Sequence, residues 1–174
     1  MQLVVMGVSG SGKSTLAVAL VMQLHWAMAE GDDYHSAENK AKMAAGMALN
    51  DEDRRPWLHA LHAVLAGWQA SGASGVMTCS ALKEIYRAQL SQGLGDLRFV
   101  WLDPPRQALE QRLAHRTGHY MNPRLLDSQL ETLEPPRGDN VLHLAADTDV
   151  NALAAKVVEW ILNPSAAAGI PPID

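Results

Sequence analysis

Eight consecutive residues, Gly7-Val8-Ser9-Gly10-Ser11-Gly12-Lys13-Ser14, satisfy the pattern G-x-x-x-x-G-K-[ST] at every fixed position. The apolar run Leu3-Val4-Val5-Met6 precedes them, and a helix-like stretch from Ser14 to Leu24 follows. In that stretch Leu16, Leu20 and Leu24 recur at i, i+4 spacing, so one face is built to pack on a sheet. A strand that enters a glycine turn and then a helix N-terminus leaves several backbone N–H groups without helical partners. Those groups and the helix dipole favour the phosphates of a nucleoside triphosphate. In this pattern Lys13 reaches the β/γ oxygens, and the Ser14 hydroxyl serves as a ligand to Mg²⁺. The candidate phosphate-binding set is therefore Gly7, Ser9, Gly10, Ser11, Gly12, Lys13, Ser14 and Thr15. A glycine turn that merely starts a helix is the plain alternative. Strand, turn, Lys-Ser pair and helix together argue against it.

The rest of the chain repeats the alternation. Short strands are expected at Ala27–Ala29, Gly75–Cys79, Leu97–Leu102 and Val141–Leu144. Helices are expected from Ser36 as N-cap to Gly46, and from the cap Asn50-Asp51-Glu52-Asp53 to Ser71-Gly72. Further helices are expected after a cap at Ser80, over Arg106–Arg116 and Pro123–Leu133, and as a closing segment over Val150–Leu162. Strands alternating with helices imply βαβ units, hence an α/β fold with a parallel sheet of about five strands and helices on both faces. Ligands in such sheets bind beyond the carboxyl ends of the strands. The polar segments after the first three strands must then converge on one crevice.

A chain of 174 residues with 48% hydrophobic content suits one domain with a real core, here placed at 1–162. The segment 163–174, with Pro164 and Pro171-Pro172, is expected to be a flexible tail. A net charge of −5 argues against a general nucleic-acid-binding surface. The single cysteine, Cys79, excludes an internal disulfide framework and reads as a small buried residue. The chain opens on a strand and has no apolar stretch of the roughly 20 residues a membrane helix needs, so a soluble cytoplasmic protein without membrane contact is expected.

A phosphate loop alone serves switch GTPases, motor ATPases and kinases alike. The string Asn39-Lys40-Ala41-Lys42 lacks the Asp of a guanine-recognition motif, and Val76-Met77-Thr78-Cys79 runs into Ser80 instead of an Mg²⁺-holding Asp. A compact kinase with donor and acceptor sites facing each other fits what remains. Asp32, just past the second strand, stands where a carboxylate can orient an acceptor hydroxyl and take its proton, or hold Mg²⁺ through water, with Asp33 as the competing position and a solvated loop acid as the plain alternative for each. Arg54, Lys83 and Arg87 are candidates to grip an anionic acceptor, against the plainer reading of surface salt bridges that is favoured for Arg55. Lys83 and Arg87 are expected one helical turn apart on a shared face. Arg112 and Arg116, followed by Thr117-Gly118-His119-Tyr120, suit a small mobile lid around 112–125 that closes over the phosphates. The pairs His59/His62 and His115/His119 lack a third metal ligand, and Trp57 and Trp68 read as core residues.

These strings, taken together, resemble the gluconate kinase family of phosphate-loop small-molecule kinases, from Met6 to about Pro136. The resemblance rests on Met6–Ser14, on Gly31-Asp32-Asp33-Tyr34-His35 and on Leu49-Asn50-Asp51-Glu52-Asp53-Arg54-Arg55-Pro56-Trp57-Leu58. It continues through Cys79-Ser80-Ala81-Leu82-Lys83 with Tyr86-Arg87, and Arg116-Thr117-Gly118-His119-Tyr120. It implies transfer of the γ-phosphoryl of ATP, with Mg²⁺, to the 6-hydroxyl of D-gluconate. In those terms Lys13, Asp32 and Arg116 are the catalytic candidates, and Arg112 joins Arg116 in stabilising the transferred charge. Asp32, His35, Arg54, Lys83, Arg87 and His119 would hold the acceptor. The resemblance also implies a homodimer. Related kinases of other sugar acids, of shikimate or of nucleoside monophosphates remain alternatives, as does an ATP-binding module without catalysis. Met121-Asn122-Pro123 departs from the lysine or other polar residue that family members often carry after the lid.

Overall fold

The computed structural model describes residues 1–114, 123–146 and 148–163. Five parallel strands form one sheet in the order β2-β3-β1-β4-β5. They are β1 (Gln2–Met6), β2 (Ala27–Glu30), β3 (Gly75–Thr78), β4 (Leu97–Leu102) and β5 (Val141–Leu144). The helices are α1 (Lys13–Leu24), α2 (Ala37–Ala44), α3 (Asp51–Ser71), α4 (Glu84–Ser91), α5 (Arg106–Ala114), α6 (Pro123–Thr132) and α7 (Val150–Leu162). One turn of 3₁₀ helix, Gly31–Tyr34, follows β2.

The sheet is apolar on both faces because helices cover both. Leu3, Val5, Val76, Val100 and Leu102 point to one side, into a core shared with Leu16 and Leu20 of α1 and with Val157 and Trp160 of α7. Val4, Met6, Met77, Phe99 and Trp101 point to the other, against Trp57, Leu61 and Leu65 of α3 and Leu90 of α4. The period-two alternation of a strand thus serves two cores at once. A third, smaller cluster joins Val8, Leu82, Leu109 and Leu126 at the carboxyl end of the sheet, where the connecting segments meet.

The expected caps form. The Ser36 hydroxyl accepts from the Asn39 N–H, and Asn50 and Asp53 make a reciprocal capping box at the start of α3. Gly72 ends α3 in the left-handed region.

One expected helix start is corrected. The segment after β3 is not a helix capped at Ser80: α4 begins at Glu84 with Lys83 as its N-cap residue. Ala81 adopts φ 43°, a left-handed conformation that a right-handed helix cannot contain. Ala81 and Leu82 are fully buried, and their carbonyls accept from the Arg87 guanidinium at 2.9 and 3.0 Å. The segment is thereby held irregular, with its backbone polar groups satisfied from α4.

The expected C-terminal turn of α5 and the lid, including His115, Arg116, Thr117, Gly118, His119, Tyr120, Met121 and Asn122, lie outside the described residues. So does the expected tail after Asn163. Among the described residues, no helix is long and apolar enough to cross a membrane.

Candidate active site

The phosphate loop is shaped by backbone constraints at its first glycine. Gly7 has φ 138°, and a Cβ there would lie 2.5 Å from the Leu102 carbonyl oxygen of the neighbouring strand. Only glycine lets the chain leave β1 this close to β4. The loop then passes to α1, whose first residue is Lys13. Ser11 N–H donates to the Val8 carbonyl, and Lys13 Nζ to that same carbonyl at 3.0 Å, so the lysine folds back along the rim of the loop. The first-turn amides of α1 point out of the helix end, as an anion cradle requires.

A cavity of about 1100 Å³ opens beside this loop, beyond the carboxyl ends of β1, β2 and β3. Ser9 and Lys13 line one side of it. Asp32, His35, Arg54, Ser80 and Lys83 line it as well, which brings together the segments expected to converge. Asp33 lines it too, but its carbonyl is tied to Lys40 Nζ at 3.0 Å. Met43, Met47 and Leu49 add an apolar wall suited to the C–H faces of a polyol.

Asp32 is placed by clamps on its neighbours. The Gly31 N–H donates to the Thr78 hydroxyl at 3.1 Å, and the Thr78 hydroxyl donates to the Glu30 carboxylate. The Gly31 carbonyl accepts from the indole N–H of Trp57 at 2.7 Å. A Cβ on Gly31 would lie 2.1 Å from the Thr78 carbonyl oxygen, so the turn can bend this tightly only at glycine. On the far side of Asp32, the His35 ring stacks on Trp57 with centroids 4.2 Å apart. Trp57 is the core residue that was expected, at 2% exposure, yet its N–H and its ring hold both flanks of Asp32. Helical spacing could not reveal that second role.

His35 is itself buried, and its Nδ1 has no hydrogen-bond partner among the described residues. Burial pushes its pKa below the ordinary imidazole value, against the raising influence of Asp32 and with lowering from Arg54 and Lys40. A neutral imidazole in the cavity can donate from one nitrogen and accept at the other.

The cationic wall is built around Asp51. Its carboxylate accepts from Lys83 Nζ at 2.8 and 3.0 Å and from the Tyr86 hydroxyl. The Lys83 and Tyr86 hydrogen bonds hold the Asp51 carboxyl below the usual carboxylate range, and Asp51 in turn raises Lys83. The Arg54 guanidinium lies 5.7 Å from the Tyr86 ring centroid and also donates from Nε to the Leu49 carbonyl. Arg54 and Lys83 therefore face the cavity from one side.

Arg87 does not join them. It is 8% exposed, does not line the cavity, and donates to the Ala81 and Leu82 carbonyls. The expected shared face with Lys83 fails because Lys83 stands at the helix cap, where the backbone is extended. Arg87 supports the 79–83 segment from behind. Arg55 pairs with Glu52 at the surface. Cys79 is buried, and desolvation pushes its thiol up to about 12.

Arg112 lies on the other side of the loop. Its guanidinium donates to the Ser11 carbonyl at 3.2 Å and to the Ala146 carbonyl at 3.0 Å. With Gly12, Thr15, Thr148 and Leu153 it lines a second recess of about 270 Å³. Arg116 and His119 lie outside the described residues.

Several residues of the cavity carry no site signal in the sequence, Asp51 and Gln129 foremost among them. Gln129 of α6 accepts the Ser9 N–H on Oε1 at 2.7 Å and lines the cavity with Leu125, Ser128 and Thr132. The surrounding string, Leu125-Leu126-Asp127-Ser128-Gln129-Leu130, reads as an ordinary amphipathic helix, so no signal marked it.

A loop that cradles phosphates, facing a carboxylate and two cations across a deep cavity on a parallel sheet, defines a phosphate-loop kinase of small molecules. A family model described as an AAA domain matches residues 3–136. The chain is 41% identical to the thermoresistant gluconokinase of Escherichia coli strain K12, over 91% of each chain. It is 47% identical to the gluconokinase of Gluconobacter oxydans strain 621H, over 79% of this chain and 77% of that one. The crystal structure of a gluconokinase from Sinorhizobium meliloti 1021 superposes with a TM-score of 0.80 and 40% identity, covering 94% of this chain and 97% of the other. The chain belongs to the gluconokinase family.

Proposed function

We propose that this protein transfers the γ-phosphoryl group of ATP to the 6-hydroxyl of D-gluconate, giving 6-phosphogluconate and ADP. The observation that carries the reading is one cavity in which Lys13 and the loop face Asp32, Arg54 and Lys83. Gluconokinase relatives that match most of the chain supply the acceptor's identity.

Lys13 and the loop amides other than that of Ser9, which donates to Gln129, bind the β- and γ-phosphates, and the second recess beside Arg112 and Thr15 receives the rest of the nucleotide. Ser14 sits in the first turn of α1, one residue past Lys13, where its hydroxyl fits a cation held against those phosphates. Mg²⁺ bound there would neutralise charge on the β- and γ-oxygens. Asp32 orients the 6-hydroxyl and takes its proton as the new O–P bond forms and the bond to the β-phosphate oxygen breaks. Arg54 and Lys83 bind the gluconate carboxylate, with Lys83 exchanging part of its pairing with Asp51 for the substrate. His35, which lines the cavity, hydrogen-bonds a polyol hydroxyl. Arg116 and His119 complete the reading from the lid, Arg116 by stabilising charge on the transferred group and His119 as a further acceptor contact. A cytoplasmic location belongs to the same reading, and so does a homodimer, which rests on the family resemblance.

A coupled ADP-release assay tests it with D-gluconate, other sugar acids, shikimate and nucleoside monophosphates as acceptors. Turnover with D-gluconate well above the others is expected. Turnover only with a nucleotide would overturn it.

A further inference from the structure

Helix α6 braces the two walls of the cavity. Leu126 packs with Val8 of the phosphate loop, with Leu82 of the segment after β3 and with Leu109 of α5. Just beyond the helix, Glu134 N–H donates to the Leu82 carbonyl at 2.9 Å, and the Glu134 carboxylate accepts from Glu84 N–H at 2.6 Å. Gln129 is therefore carried on an element fastened to the donor loop at one place and to the acceptor side at another. Its carboxamide meets the loop at Ser9, and it lines the cavity shared by Lys13 and Asp32.

The geometry fixes which way the carboxamide faces. An N–H can donate only to the oxygen, so Oε1 is committed to Ser9. The two Nε2 hydrogens are then what Gln129 offers the cavity. A neutral donor pair on a rigid helix, beside the phosphate loop, costs no reorganisation when charge shifts onto the transferred oxygens. It also adds no net charge that would hold the product back.

We propose that Gln129 is a catalytic residue of this phosphotransfer: Oε1 locks the Ser9 amide, and Nε2 donates to the phosphoryl group as it passes from the loop to the acceptor. The bond made and the bond broken are unchanged, and the acceptor proton still goes to Asp32. The inference rests on the proposed transfer to gluconate, and the test separates the two.

Full-length wild type, Q129E and Q129M are compared in steady-state turnover from pH 6 to 9. Binding of ADP with aluminium fluoride, without acceptor, is measured alongside. Q129E keeps an oxygen for Ser9 but loses the donors. At pH 8 its kcat is expected to fall about 100-fold, with KM for gluconate within about threefold. Relative to wild type it should recover as the pH falls, because a protonated carboxyl again donates. Q129M, which lacks both functions, should lose about 100-fold at every pH and bind ADP–aluminium fluoride at least about tenfold more weakly than wild type, with ADP affinity unchanged. Q129E within about threefold of wild-type kcat at pH 8 would overturn the proposal, leaving Gln129 as a brace for Ser9. If wild type does not phosphorylate gluconate, the acceptor reading fails. The aluminium fluoride affinities still decide Gln129, equal values for wild type and Q129E at pH 8 counting against it. Should Q129M fail to fold, Q129E alone carries both readouts.

Discussion

The two sides of the cavity are made in different ways. The donor side is one contiguous stretch, Gly7 to Ser14, whose binding groups are mostly backbone and whose shape follows from β1, a glycine turn and the start of α1. The acceptor side is assembled from the turn after β2, the start of α3, the segment after β3 and helix α6. Its groups are side chains, each aimed by residues far away in the chain. A phosphate chain is the same in every nucleotide, so a local backbone device suffices for it. An acceptor differs from enzyme to enzyme, and side chains on separate segments can change one at a time.

The largest expected effect breaks the donor side at a single side chain. Lys13→Ala should lower kcat by about 10³-fold or more, with the melting temperature near that of wild type, since the lysine is only half-buried at the cavity rim. Near-normal turnover would remove Lys13 from its role.

Gly31→Ala tests whether acceptor-side geometry is as tightly set as the loop. The added Cβ would meet the Thr78 carbonyl at 2.1 Å, so the turn must move and carry Asp32 with it. Destabilisation of about 1–3 kcal/mol is expected by denaturant titration, together with a kcat loss of about 10²-fold. A variant equally stable and active would show that the Thr78 and Trp57 clamps do not position Asp32.

A smaller effect should separate acceptor from donor. Arg54→Ala or Lys83→Ala should raise KM for gluconate by about tenfold while KM for ATP stays within about twofold. In contrast, Arg87→Ala should act on stability, because its guanidinium satisfies two buried carbonyls and does not reach the cavity. A rise in KM for ATP in the Arg54 or Lys83 variants would place those residues on the wrong wall.

The smallest effect concerns His35. Its pKa in the folded protein is lowered below 6.5, so the unfolded chain binds the proton more readily in the interval beneath that value. Stability should therefore be fully present above pH 6.5 and decline as the solution is acidified through that interval. Chemical denaturation of wild type and His35→Gln across pH 5–7.5 measures it. A wild-type slope no steeper than that of the variant would mean that His35 is not the group involved.

Period and punctuation determined much of this protein. The alternation of strands and helices, the caps at Ser36 and Asn50 and the loop at Gly7 follow from local chemistry, because each depends on neighbours a few residues away. Asp32, Arg54 and Lys83 were legible from the strings around them, and the sheet topology explains why they share a cavity. What tertiary structure alone decided was the aim of individual side chains. Arg87 looks like Lys83's partner on a helix, but the left-handed Ala81 delays that helix and leaves Arg87 bonded to buried carbonyls. Trp57 reads as plain core until its N–H is found on Gly31. Gln129, 120 residues from Ser9, carries no local mark at all. Backbone-defined sites are written contiguously because a turn is a local object. Side-chain contacts across the fold depend on packing that brings distant segments together, and only the folded chain shows where each one points.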